Sequence, residues 1–224
     1  MGLQQANNRN YLNISIGKIR KKVATGTPGA LQRENKNKEV ISELVYDSIS
    51  GIIEYISFKD HPDFGKSWTV NVKDGDEAFG IKVSEGSRYG GDLLKKMPNL
   101  KYGKSYTFFP FDFNDQNGNR KTGLSIKDSN DNKIDSYYHE FPKVNGKFTV
   151  KYLNGHPAPQ DFKNWDKEDW KVYFMQALKF MRQRAFEYIE VQKNEAEKAP
   201  IFEEKTTIDK AIEELPSFDD DIPF

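Results

Sequence analysis

Six residues that close the sequence, Asp219, Asp220, Asp221, Ile222, Pro223 and Phe224, combine groups suited to capture by another protein. Together with Phe218, the apolar members stand in an acidic stretch that has no local core for them to join. Pro223 restricts the backbone ahead of Phe224 and lowers the entropy lost on docking, while the α-carboxylate sets a negative charge beside the ring. The matching pocket is apolar, with an Arg or Lys at its lip and a basic ridge for the aspartates.

Rings and cations further back carry a second chemistry. Single-stranded nucleic acid is held by a positive groove for phosphates and by aromatic rings for bases, each stacked base contributing roughly 1 to 3 kcal/mol. Aromatic residues make up 13% of the chain, and the run Tyr106, Phe108, Phe109, Phe111 and Phe113 holds more rings than one buried strand face requires. Alternation sends Phe109, Phe111 and Phe113 one way and Tyr106 and Phe108 the other, so that one set is expected in the core and the other partly open. Tyr55 shares its face with Ser57 and is a further stacking candidate. Trp68 and Phe79 share faces with Val and Ile, which favours burial, although Trp68 stays among the candidate rings. Lys18, Arg20, Lys21 and Lys22 beside the first strand signal, with Arg88, Lys95, Lys96, Arg120 and Lys121 in loops, are the candidate phosphate contacts; a solvated surface is the competing reading for each.

Catalysis has little support. His61, His139 and His156 fall in separate turn-rich segments without metal-ligand spacing, and the phosphate-loop, dinucleotide and HExxH patterns are missing. Asp74, Asp76 and Glu77, like Asp128 and Asp131, sit at hairpin turns, where solvation and turn geometry account for them. No enzyme activity, metal or cofactor is expected. The zero net charge conceals an asymmetry: residues 1–194 hold 31 Lys+Arg against 24 Asp+Glu, a balance of +7, whereas residues 195–224 hold 3 against 10, a balance of −7. A basic body with an acidic end suits a polyanionic partner for the body. The chain has no Cys, no apolar leader and no long apolar run, which fits a reducing cytoplasm and argues against membrane insertion.

The elements that must position these groups are short strands. Residues 11–16 alternate as a half-buried strand, and residues 25–38, rich in turn formers and charge, read as a mobile loop. From Val40 to Tyr138 strand signals recur. Ile52, Glu54, Ile56 and Phe58 fall on one face, with Ile53, Tyr55 and Ser57 on the other. Hairpins turn at Asp74-Gly75 and Asn117-Gly118, and a helix or long loop lies between them, with Asp92 as its cap and Pro98 as its stop. A further hairpin turns at Asn145-Gly146. Residues 164–198 form the strongest helix signal, with Trp170, Tyr173, Phe174, Ala177, Leu178, Met181, Ala185, Tyr188 and Ile189 on one stripe and Asp166 or Asn164 as cap. This pattern predicts a mainly β fold: an OB-fold-like barrel with an added hairpin and one long C-terminal helix, residues 1–198. A flexible acidic tail, residues 199–224, follows.

Residues 219–224 resemble, residue for residue, the acidic tip of bacterial single-stranded-DNA-binding proteins. In that family the tip binds primase, helicase, clamp-loader and repair-nuclease partners. The likeness covers the tip alone: residues 1–194 do not resemble the bacterial N-terminal domain, and the Gly/Gln/Pro-rich linker is absent. The whole chain is more similar to bacteriophage single-stranded-DNA-binding proteins, in which an OB-type barrel carries extra elements. The resemblance implies a protein of the host cytoplasm that sequesters single-stranded DNA in replication, recombination or repair and recruits partners through its tip. The rival expectation is an interaction protein that occupies a host replication factor with the tip and binds no DNA.

Overall fold

The computed structural model describes residues 9–35 and 37–198. The acidic segment 199–224, with the tip at 219–224, lies outside the described residues. In chain order the elements are β1 (Asn10–Ser15), β2 (Lys18–Val23), β3 (Leu31–Glu34), β4 (Val40–Tyr46), β5 (Ile49–His61), β6 (Gly65–Asp74), β7 (Glu77–Ser84) and α1 (Arg88–Lys96). They continue with β8 (Ser105–Asn114), β9 (Arg120–Asp128), β10 (His139–Glu140), β11 (Lys143–Val144), β12 (Lys147–Phe148), β13 (Lys151–Tyr152) and α2 (Lys167–Lys198). The fold is mainly β with one long C-terminal helix.

Nine strands form one sheet in the order β3-β4-β2-β1-β7-β6-β5-β8-β9. Every neighbouring pair is antiparallel except β1 and β7. The strands alternate, and their inward set supplies the core: Leu12, Ile19, Ile53, Ile56, Trp68, Val70, Val72, Ile81, Val83, Phe108, Leu124 and Ile126. Leu93, Leu94 and Met97 from the α1 segment and Met181, Ala185 and Ile189 from α2 close over that side. Each large side chain so buried contributes roughly 1.5 to 3 kcal/mol relative to exposure. The interior also holds one charged network. Trp68 Nε1 donates to Glu85 Oε2 at 3.0 Å, and the Arg182 guanidinium of α2 binds the same carboxylate, with Nε at 2.9 Å from both oxygens. The helix is thus tied to the sheet by an ion pair whose carboxylate is only 3% exposed.

The outer edge of β9 is finished by side chains. Leu124 lies opposite Pro110, which has no N–H to give. On the other side, Leu124 N–H donates to Asp92 Oδ2 at 3.0 Å, and its carbonyl accepts from Lys96 Nζ at 2.7 Å. Two α1 residues thereby satisfy backbone groups that a further strand would otherwise pair.

Several local expectations change. Residues 31–34 form β3 against β4, so a short strand interrupts the segment 25–38 expected as a loop. A register shift between Ile53 and Tyr55 sets Glu54 aside as an extra residue, so Ile53 and Ile56 both reach the core and Ile52 is 46% exposed. Strict alternation could not show this. Helix α1 is capped by Ser87, whose side chain accepts from Gly90 N, while Asp92 serves β9. Asp166 does cap α2: its Oδ1 accepts from the backbone of Glu168 at 2.7 Å and of Asp169 at 2.9 Å. Along the α2 stripe Phe174 is the exception, at 60% exposed.

Candidate functional site

Directly paired residues of a sheet share a face, so the register shows which side chains stand together on the side away from the core. One row runs Tyr11, Gly80, Asn71, Tyr55 across β1, β7, β6 and β5. The next runs Arg20, Asn13, Lys82, Thr69, Ser57 across β2, β1, β7, β6 and β5. Tyr11 is 61% exposed and Tyr55 37%. The Tyr11 ring crosses over Gly80, where an added Cβ would lie 2.8 Å from it. Glycine is therefore the residue that lets the ring lie down on the sheet. Between the two tyrosines Asn71 is buried, its amide donating to Thr69 O at 3.3 Å and Ser57 Oγ at 3.4 Å. The Arg9 guanidinium sits 5.1 Å from the Tyr55 ring centroid and bonds Glu54 Oε2 at 2.6 Å. Its Nε and Nη1 are buried without a partner.

The charge on this face is positive. Among the described residues of β1, β2, β6 and β7, no Asp or Glu takes an outward position in these rows. Lys22, Lys59, Lys73 and Lys82 are exposed and form no ion pair among the described residues. Arg20 and Arg33 share the Glu43 carboxylate at 3.1 and 2.7 Å, leaving one net charge for the three groups. The hydrogen bond from Arg33 holds Glu43 below the usual carboxylate range, so that arrangement stays ionised. Lys18 pairs with Asp47.

A second aromatic patch lies on β8. Phe109, Phe111 and Phe113 face outward beside Ser125, Gly123 and Lys121 of β9. Phe113 is 55% exposed, its ring 5.8 Å from that of Phe111, and Lys127 Nζ lies 5.4 Å from the Phe109 ring centroid. The cations here differ in placement. Arg120 stands on the opposite, α1 side of β8 and β9, where it clasps Asp112 through Nε at 2.7 Å and Nη2 at 2.6 Å, an arrangement that holds the Asp112 carboxyl down to about 2. Lys121 lies 3.5 Å from Asp115. The β1–β2 turn packs on the backbone of β8: Gly17, at φ +64°, is seated where a Cβ would come within 2.6 Å of Asp112 N. Its N–H donates to Tyr89 OH at 2.8 Å.

The expected site residues therefore divide. Lys18, Arg20, Lys22 and Tyr55 share the outer face, and Phe109 and Phe111 are half-buried on the β8 patch beside Lys121, with Arg120 on the opposite face of the two strands. Lys21 does not join its neighbours; it pairs with Leu12 and Leu44 on the opposite face. Trp68, Tyr106 and Phe108 are corrected from candidate stacking rings to core: they are buried, and their faces are closed to any base. Tyr106 OH is further occupied as the acceptor for Lys101 N at 3.1 Å. Lys96 is corrected likewise, because its ammonium is bound to Leu124 O and burial lowers its pKa. Arg88 and Lys95 belong to α1, where Arg88 shares a hollow of about 280 Å³ with Arg120 and Thr122, and Lys95 lines another beside Lys133 and His139. Tyr11, Asn13, Lys73 and Lys82 were not singled out by type. Alternation in residues 11–16, and in the hairpin strands around Asp74-Gly75, was the available signal, and it could not say which face would stay open. The docking tip at 219–224 lies outside the described residues.

Comparison with protein-family models, with curated proteins and with solved structures finds no match for this chain.

Proposed function

We propose that this protein binds single-stranded DNA across the outer face of β1, β7, β6 and β5 during replication, recombination or repair. The observation that carries the reading is the row Tyr11, Gly80, Asn71, Tyr55, two accessible rings on a polar floor flanked by unpaired lysines. Rings of this kind accept any base face, and the lysines replace counterions along the backbone, so binding is strong without a sequence code. The order of elements supports the reading. β5, β6, β7, α1, β8 and β9 follow the sequence of strands and helix of an OB-fold, in which the second and third strands take oligonucleotides. β6 and β7 hold those positions here. On this view β1 and β2 are an added hairpin that extends the sheet from β7, and residues 1–198 act as the DNA-binding unit.

Residues 219–224 complete the proposal as a docking tip for replication and repair proteins, with Phe224 and its carboxylate as anchor and the aspartates steering. Trp68 is buried in the core, and Trp165 and Trp170 pack on each other at the start of α2, so tryptophan emission is a poor reporter and the anisotropy of a labelled oligo-dT is the better measurement. Binding that weakens steeply with salt, and that falls when Tyr11 and Tyr55 are both replaced by Ala, is expected. Wild-type protein that shows no salt-sensitive binding would overturn the DNA reading and leave the interaction-protein alternative. For the tip, removal of residues 216–224 is expected to abolish capture of a tip-binding partner and to leave oligonucleotide affinity equal or higher; unchanged capture would end the docking claim.

A further inference from the structure

Between β10 and β13 the chain leaves the body as a ten-residue arm, residues 141–150, in which every residue is exposed. β11 and β12 pair as a hairpin across Asn145 and Gly146, both at positive φ (+50° and +77°). A two-residue turn of this kind matches the twist of the strands it joins, so the arm is shaped by its own sequence and not by packing. Its root is firm. His139 lies with its ring centroid 4.4 Å from that of His156, Tyr152 packs beside both, and Lys151 pairs with Glu140 at 3.0 Å.

What the arm presents is unusual for so exposed a surface. Phe148 is 76% exposed, Phe141 61% and Val144 50%. Lys143 and Lys147 form no ion pair among the described residues, and residues 141–150 contain no Asp or Glu. Lys143 stands directly opposite Phe148 in the hairpin, which places a cation beside a ring on one face at a spacing of about 5 Å. Cation and ring at that separation match one phosphate and its own base. We propose that this arm is a second contact for single-stranded DNA, with Phe148 stacking on a base and Lys143 and Lys147 taking phosphates. It rests on the reading of the tyrosine face as the primary site, and it grips a strand that extends beyond that face.

The test is the full-length variant carrying Lys143→Ala, Lys147→Ala and Phe148→Ala, three exposed positions whose loss leaves the core intact. Its affinity for oligo-dT of increasing length is measured at several salt concentrations beside the wild type. For the longest oligonucleotides the variant is expected to lose about tenfold or more, as for one lost stack. Its slope of log affinity against log salt should be shallower by about 1.4, as for two lost phosphate contacts on a single strand. The shortest oligonucleotides should bind both proteins alike. If the variant binds long oligonucleotides as the wild type does, in affinity and slope, the arm is not a DNA contact and the tyrosine-face reading stands alone. A change in sedimentation with unaltered DNA binding would assign the arm to a second copy of the chain and overturn the proposal. Wild-type protein that binds no oligonucleotide of any length is a different failure, that of the primary reading.

Discussion

Tyr55 and Trp68 stand on adjacent strands and face opposite ways. Trp68 pairs with Phe58 and Val83, has no exposed surface, and gives its one polar atom to Glu85. Tyr55 pairs with Asn71, keeps a third of its surface open and has a guanidinium over its ring. The same contrast holds between Lys96, consumed by a backbone carbonyl, and Lys82, which is exposed and forms no ion pair among the described residues. A ring or a cation is available to a ligand only on the side of the sheet that the helices leave bare. Aromatic density by itself therefore misleads: the richest run in the chain sends Tyr106 and Phe108 inward and leaves its other rings only partly open.

The comparison can be broken at either member. Trp68→Ala should cost roughly 3 to 5 kcal/mol of stability, read by denaturant unfolding, with affinity per folded molecule unchanged; an affinity loss without destabilisation would put Trp68 back at the ligand. Tyr55→Ala should do the reverse, weakening oligo-dT by roughly 1 to 3 kcal/mol for one lost stack and shifting stability by no more than about 0.5 kcal/mol. The lysines form a parallel pair. Lys96→Met leaves Leu124 O unsatisfied and should cost about 1 to 3 kcal/mol of stability, whereas Lys82→Met should leave stability alone and make the salt slope shallower by about 0.7.

Acid offers a way to sharpen the contrast without mutation. Burial, aided by neighbouring His156, holds His139 down to about 4, below the ordinary histidine value, so between those two pH values the unfolded chain binds the proton that the folded one refuses. Stability should then be full above the ordinary value and decline as pH falls toward 4. Affinity measured on the folded fraction should hold steady. A His139→Phe variant with an undiminished stability slope would show that another group is responsible. The smallest effect is expected from Gly80→Ala, whose Cβ would meet the Tyr11 ring at 2.8 Å. An exposed ring can swing aside, so a modest loss of affinity with little change in melting temperature is the outcome to look for.

Much of the fold was legible because it is written in short-range patterns. The α2 period and its Asp166 cap, the Asn145-Gly146 turn and the alternation of β6 and β7 each depend on residues a few positions apart. What could not be read involves partners distant in the chain. The loop-like residues 31–34 become β3 only because β4 accepts them, and the Glu54 bulge appears only when β5 must serve both β6 and β8. Asp92 looks like a cap by its neighbours, yet it binds Leu124, 32 positions away.

For the candidate site the division is similar. The sequence by itself determined the materials: period-two strands, a basic body, an acidic end, abundant rings and a last stretch that joins Phe224 to three aspartates. Those properties belong to residue types and their spacing, and no packing can alter them. Only the tertiary structure decided which rings and lysines face outward, because alternation defines two faces and is silent about which one the helices will cover. Once α1 and α2 close over the side of Trp68 and Phe108, Tyr11, Tyr55 and Lys82 are left on the other.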